Sequence, residues 1–150
     1  MNRKDREITD IKEIEEIINK ANVIRMAVCD NNRPYIIPLN FGYKDRCIYI
    51  HSSKRGKKID ILKKNNDISF EVDIDHVLVE SKKACDFSMK YKSVVGFGKA
   101  YFISDLNEKK QALDIIMSHY SNADYDYSLD QIEKICIIRV DIESMIGKKS

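Results

Sequence analysis

Apolar residues recur every three or four positions early in the chain, where Ile11, Ile14, Ile17 and Ile18 follow Thr9-Asp10. That period puts them on one side of a helix, predicted over about Asp10–Lys20. Asp10 and Glu13 have the spacing of a reciprocal capping box. The pattern then changes to short runs of β-formers. Val23–Cys29, the turn residues Asp30-Asn31-Asn32 and Pro34–Leu39 predict a hairpin. Pro34 and Pro38 cannot donate to a ladder, which puts the second strand at an edge, a bulge or a strand end. Phe41-Gly42-Tyr43, the turn Lys44-Asp45-Arg46 and Cys47–His51 extend the meander.

Ser52–Gly56 reads as a loop and Lys57–Lys64 as a short helix with Ile59, Ile61 and Leu62 as its apolar residues. Ile68–Ile74 alternates, as a half-buried strand does. His76–Lys83 fits either a short strand, through Val77 and Val79, or a loop. Tyr91–Ile103 is the longest predicted strand, and Gly96 and Gly98 within it mark a bulge or a close backbone approach. Leu106–Tyr120 predicts an amphipathic helix with Leu113, Ile116, Met117 and Tyr120 on one side. Asn122–Ser128 reads as a polar loop and Ile135–Ile142 as a last strand.

The total is six or seven strands and two or three helices. Short antiparallel strands dominate and β-α-β alternation is absent. The expected fold is mainly β (α+β), an antiparallel barrel with helices packed outside. The 150 residues fit one domain spanning 1–150, long enough to bury roughly two-thirds of its unfolded surface.

With 43% hydrophobic and 33% charged residues, the chain is not a disordered sequence. Its 26 basic and 24 acidic residues leave a net charge of +2, too little for a field that draws in nucleic acid. The basic cluster Lys54–Lys64 lacks the interleaved aromatics of a single-strand groove. Cys29, Cys47, Cys85 and Cys136 are scattered, with no C-x-x-C pair and no metal-ligand spacing. No metal site is expected, and a reduced, cytoplasmic setting is. The charged start, Met1 to Glu7, precedes no long apolar run, so no signal peptide is expected. No run approaches the ~18 apolar residues of a membrane span.

Three segments carry candidate chemistry. His51-Ser52-Ser53-Lys54-Arg55-Gly56-Lys57-Lys58 leaves a strand, passes hydroxyls and a glycine, and enters a helix. Free amides at a helix start, with Lys57 and Lys58 beside them, are the parts of a phosphate site. A solvated basic helix start has the same spacing, and the Walker pattern is absent. In the second segment, Pro38-Leu39-Asn40-Phe41-Gly42-Tyr43, a proline-interrupted strand leaves backbone groups able to bond the edge of a flat heterocycle. A barrel corner with a polar cap would look alike, and alone the segment reads that way. The third, Ser93-Val94-Val95-Gly96-Phe97-Gly98, lacks the third glycine of a dinucleotide fingerprint and by itself reads as a bulged strand. Of the three histidines, His51 adjoins the candidate phosphate loop. His119 sits near a helix end, where the helix dipole accounts for it. No Ser-His-Asp or Cys-His arrangement can be argued from spacing.

Together these segments resemble the pyridoxamine 5'-phosphate oxidase-like flavoproteins, and within them the nitroimidazole-resistance branch. The resemblance runs over nearly the whole chain. It includes Arg6-Glu7-Ile8, Pro38 to Tyr43, Ile48 to Ser52 with Gly56-Lys57-Lys58, Tyr91 to Ala100, Glu108-Lys109 and Met117-Ser118-His119-Tyr120. It implies a split β-barrel that forms a homodimer, with FMN at two sites along the subunit interface. It implies that the Pro38, Leu39, Asn40 and Phe41 backbone faces the isoalloxazine and that His51, Ser52 and Ser53 line the site. It further implies that Lys57 and Lys58 hold the phosphate and that Ser93 lies near the cofactor, across the dimer or within one chain. His51 is the implied substrate contact and catalytic candidate. The branch often has Arg where Lys57 stands, and Lys lacks the bidentate fork. It often has Trp where Phe87 stands, and this chain has no Trp.

The activity implied is an FMN-dependent oxidoreductase. A nicotinamide cofactor, NADH or NADPH, would supply electrons, and a small planar aromatic such as a nitro compound or a quinone would accept them. A second reading is a binding protein that holds flavin or haem without turnover. A third, oxidation of pyridoxamine phosphate itself, ranks below both because no second basic cluster for its phosphate is evident.

Overall fold

The computed structural model describes residues 4–150, so Met1-Asn2-Arg3 of the charged start lie outside the described residues. A short strand, β1 (Glu7–Ile8), leads into helix α1 (Ile11–Lys20). Asp10 caps α1 by accepting the Lys12 amide at 3.0 Å, and Ile14, Ile17 and Ile18 form its buried side. The expected partner in the box, Glu13, pairs instead with Lys92 at 3.1 Å.

Two hairpins follow. Strands β2 (Ile24–Asp30) and β3 (Arg33–Leu39) are joined through Asn31 and Asn32, both at positive φ, the backbone of a two-residue turn that matches strand twist. Strands β4 (Gly42–Lys44) and β5 (Cys47–Ser52) are joined in the same way through Asp45 and Arg46. Gly42 lies so close to the Ile115 backbone that a side chain there would collide with it. After a loop comes helix α2 (Lys57–Leu62), which rests on β2.

The long strands β6 (Asp67–Val79), β7 (Ser88–Ile103) and β8 (Cys136–Lys149) run past their predicted ends. They continue through irregularities that the alternation pattern does not cross. In β6 the register shifts between Ile74 and Val77, with Asp75 at φ 57°, so the undecided His76–Lys83 stretch is strand as far as Val79. The β7–β8 register shifts between Phe97 and Gly98, but the extra residue there is Glu143 of β8; in β7 the two glycines mark close approaches, since a side chain at Gly98 would collide with the Asp141 carbonyl.

Helix α3 (Leu106–Ser118) is capped by Asp105, which accepts the Glu108 amide at 2.9 Å. Its buried residues are Lys109, Ala112 and Ile116, whereas Tyr120 lies beyond its end. Helix α4 (Leu129–Lys134) falls just after the expected polar loop. It opens on a reciprocal capping box between Ser128 and Gln131.

All pairings are antiparallel, in the order β3-β2-β6-β7-β8-β5-β4, with β1 against β8. The sheet is not closed: β3 and β4 are its two ends. Among the described residues it is an open, split barrel of eight strands with four α-helices, one strand and one helix more than the expected maximum. Ile48 and Ile50 of β5 and Ile68, Phe70 and Val72 of β6 point into a core that also receives α1 and Phe41. Burying each such side chain contributes about 1.5–3 kcal/mol. No helix of the described residues is long and apolar enough to cross a membrane.

Candidate functional site

Strand β5 ends at His51 and Ser52, paired with Ile137 and Cys136 of β8. The inward residues Ile48 and Ile50 alternate with His51, which is left exposed. The chain then turns through Ser53, whose hydroxyl donates to the Arg55 carbonyl at 2.6 Å and so does not cap α2. Gly56 occupies the cap position at φ 124°, a backbone that side-chain-bearing residues rarely adopt, and no side chain bonds the first-turn amides of the helix. Lys57 and Lys58 stand at that uncapped end, and neither has a carboxylate partner among the described residues. Burial pushes the Lys58 ammonium below its ordinary pKa. The Lys57 ammonium lies 4.6 Å from the centroid of the Tyr35 ring on β3, close enough for a cation–π contact. The loop and helix thus reach from the end of β5 to the edge strand β3.

Strand β3 pairs on one side only, so its other edge carries backbone groups without ladder partners. Pro38 and Asn40 are exposed and Leu39 is half-buried. Phe41 differs from its expected role. Its side chain is fully buried in the core, and its backbone N–H donates to the Tyr120 hydroxyl at 3.0 Å. That amide is therefore engaged within the chain and is not open to a ligand. The Tyr120 hydroxyl in turn donates to the Asn22 carbonyl at 3.0 Å.

His119 has a tertiary role in addition to its place at the end of α3. Its Nε2 lies 2.7 Å from the Ala21 carbonyl, and its ring sits 4.4 Å from the Phe41 ring, centroid to centroid. His119 and Tyr120 thus fasten the β3–β4 corner to the start of β2. Sequence reasoning assigned neither residue this task. The side chains come from a helix end nearly eighty positions away, and no local spacing links them to Phe41.

Ser93 lies apart from the other candidates within one chain. It pairs with Asp73 and Lys148, whereas the row through His51 passes Ile137 and Ile103. Ser93 and Ile103 are separated by roughly 33 Å of extended strand. Ser93 is 7% exposed, yet it shares a strand face with Val95 and Phe97, which are solvent-facing. The structure therefore brings together His51, Ser52, Ser53, Lys57 and Lys58, sets Tyr35 of edge strand β3 against Lys57, and leaves Ser93 at the far end of the β7–β8 ladder. A cavity of about 480 Å³ between α3 and the 121–127 loop contains none of these residues.

The sequence family described as pyridoxamine 5'-phosphate oxidase matches residues 10–149. The chain belongs to that family. Among solved structures, a proposed 5-nitroimidazole antibiotic resistance protein from Bacteroides thetaiotaomicron is 36% identical, with a TM-score of 0.87 over 95% of this chain and 86% of that one. A FAD- and haem-binding protein from Mycobacterium smegmatis shares the fold at 16% identity, with a TM-score of 0.88 over 97% of this chain and 73% of that one. A FAD-binding protein from Mesorhizobium loti does so at 24% identity, with a TM-score of 0.69 over 97% of both chains. An uncharacterized protein of Rhizobium meliloti (strain 1021) is 26% identical over 61 residues, 41% of this chain and 40% of that protein.

Proposed function

We propose that this protein binds FMN at the interface of a homodimer and uses it to reduce a small planar aromatic, a nitro compound or a quinone, with electrons from NADH or NADPH. The observation that carries the reading is the start of α2: uncapped amides and two lysines with no carboxylate partner among the described residues, beside a strand end bearing exposed His51. That donor set suits a phosphate. The similarity to the Bacteroides protein, and the FAD bound by the more distant Mycobacterium smegmatis and Mesorhizobium loti proteins, support a flavin as its bearer.

When bound, the flavin supplies the redox chemistry. Lys57 and Lys58 would neutralise its phosphate, with Ser52 and Ser53 as further hydrogen-bonding groups. The unpaired edge of β3 at Pro38, Leu39 and Asn40 would face the ring edge, and of Phe41 only the carbonyl remains for this. His51, exposed at the strand end, would touch the substrate.

The dimer is supported by an apolar outer face. Ile36, Ala27, Ser69 and Phe97 form one cross-strand row, with Ile36 64% and Phe97 56% exposed. Val95 is also exposed and lines a cavity of about 300 Å³ with Ala27, Ile36 and Phe70. Apolar surface so concentrated marks an association site. In this reading Ser93, remote from α2 within one chain, would approach the cofactor from the partner subunit. The four cysteines are free, which suits the reducing cytoplasm of this reading.

The test is spectroscopic and kinetic. Purified protein should take up FMN, show its visible bands, and oxidise NADH or NADPH when a nitroaromatic or quinone is added. Flavin retention without nicotinamide oxidation, or a haem Soret band lost in His51→Ala, would favour the binding-protein reading. Protein that ignores added FMN would end the proposal.

A further inference from the structure

Another cavity, of about 300 Å³, opens where α2, the end of β7 and the start of β8 meet. Its size is at the lower end of small-molecule pockets, about 300–1,000 Å³. It goes beyond the flavin reading, because none of His51, Ser52, Ser53, Lys57 and Lys58 lines it.

One part of its lining is apolar: Ile59, Phe102, Ile103 and Ile135, with Cys136 beside them. The other part is cationic: Lys54, Lys63 and Lys109. Its lining includes no carboxylate. Lys109 is the unusual member, since it is only 7% exposed. Its ammonium donates to the carbonyls of Ile135 at 3.0 Å and Ile132 at 3.5 Å, at the C-terminal end of α4. Those carbonyls take two of its three donors and leave its full charge uncancelled, and lysines are rarely so buried without an anion. Lys54, Lys58, Lys63 and Lys109 have no carboxylate partner among the described residues. All four bear on the Cys136 thiol. Burial raises that thiol's pKa, and each of the four opposes the rise.

We propose that this cavity binds a small amphipathic monocarboxylate, its acid group among Lys54, Lys63 and Lys109 and its apolar part on Ile59, Phe102 and Ile135. The charge selects an anion. The apolar floor selects against a bare inorganic one, which would leave that floor wet. Lys109 alone would suffice as a cap for α4, but a cap does not account for two more unpaired lysines around an open apolar surface.

The test uses octanoate, with octan-1-ol, octylamine and inorganic phosphate as controls, titrated calorimetrically into full-length protein with and without saturating FMN. Octanoate should bind at least tenfold more tightly than each control, and FMN should not displace it. Lys54→Glu combined with Lys63→Glu changes exposed side chains and should weaken octanoate at least tenfold. Phe102→Ser should weaken octanoate and octanol alike. Lys109→Met should weaken octanoate, with circular dichroism to verify that α4 survives. Equal binding of octanoate and octanol, an unaffected double variant, or competitive displacement by FMN would each overturn the proposal. Because the titration is read with and without FMN, a protein that does not bind flavin leaves this test intact.

Discussion

The Tyr120 hydroxyl accepts the backbone N–H of Phe41 at 3.0 Å, across nearly eighty residues of chain. The same hydroxyl donates to the Asn22 carbonyl. One side chain thus fixes the corner between β3 and β4 against the start of β2. Tyr120→Phe removes both bonds while keeping the ring. A hydrogen bond of this kind contributes about 1 kcal/mol net. The urea midpoint should fall accordingly with the slope unchanged, and FMN affinity should drop with it, since the corner leads into the proposed ring site. An unchanged midpoint would show that water replaces the hydroxyl without loss.

Gly56 combines φ 124° with no atom close to where a side chain would begin. The penalty for Gly56→Ala is therefore one of backbone conformation alone, of the order of 1 kcal/mol or more. The variant should be less stable in urea and should bind FMN more weakly, because the α2 amides shift with the turn. A variant as stable as the parent would mean that the turn relaxes freely.

Lys58 ties the proposed site to pH. Burial holds its ammonium below the ordinary value of about 10.4. A bound phosphate favours the charged form, so FMN affinity should fall as pH rises through the lowered value, earlier than for an exposed lysine. Lys58→Met should weaken FMN about tenfold or more, the worth of a charge-assisted hydrogen bond, and flatten the part of the pH profile that Lys58 supplies. Fluorescence titration of FMN from pH 7 to 10 measures both.

Val95→Asp with Phe97→Asp places two charges on the apolar outer face. Both residues are solvent-exposed in one chain, so folding should persist. Sedimentation should then show a monomer, and FMN affinity should fall if the partner completes the site. A double variant that remains a dimer would move the interface elsewhere.

Asp73 makes the acid side of the stability curve testable. Burial pushes its carboxyl up, but hydrogen bonds from Arg25 and His76 outweigh it, and the net pKa is lowered. A carboxylate held low in the folded state contributes stability that is present above its unfolded value of about 3.9 and lost as pH falls through the folded one. Arg25→Met should therefore raise the midpoint of acid unfolding, followed by circular dichroism. No change would mean that the pair is screened by solvent, as exposed pairs often are.

Much of this architecture was legible along the chain. The 3.6-residue period of Ile14, Ile17 and Ile18, the two-residue turns at Asn31-Asn32 and Asp45-Arg46, and the alternation through Ile68–Ile74 are local signals with local causes. Lys57 and Lys58 at a glycine-led helix start were legible for the same reason. Helix α4 had its signal in the Ser128–Gln131 capping box, though the helix is only a turn and a half long and sits in a polar stretch.

Residue order by itself determined helices α1, α2 and α3, the middles of the long strands, the hairpin turns and the cationic loop, because each depends on side chains within a few positions of one another. Only tertiary structure decided that Tyr120 engages the Phe41 amide, that Ser93 stands at the opposite end of the ladder from His51, and that Lys109 is buried without an anion. Those facts depend on which distant strands pair and in what register, and a chain of 150 residues fixes that by burying one shared core, not by any spacing that can be read locally.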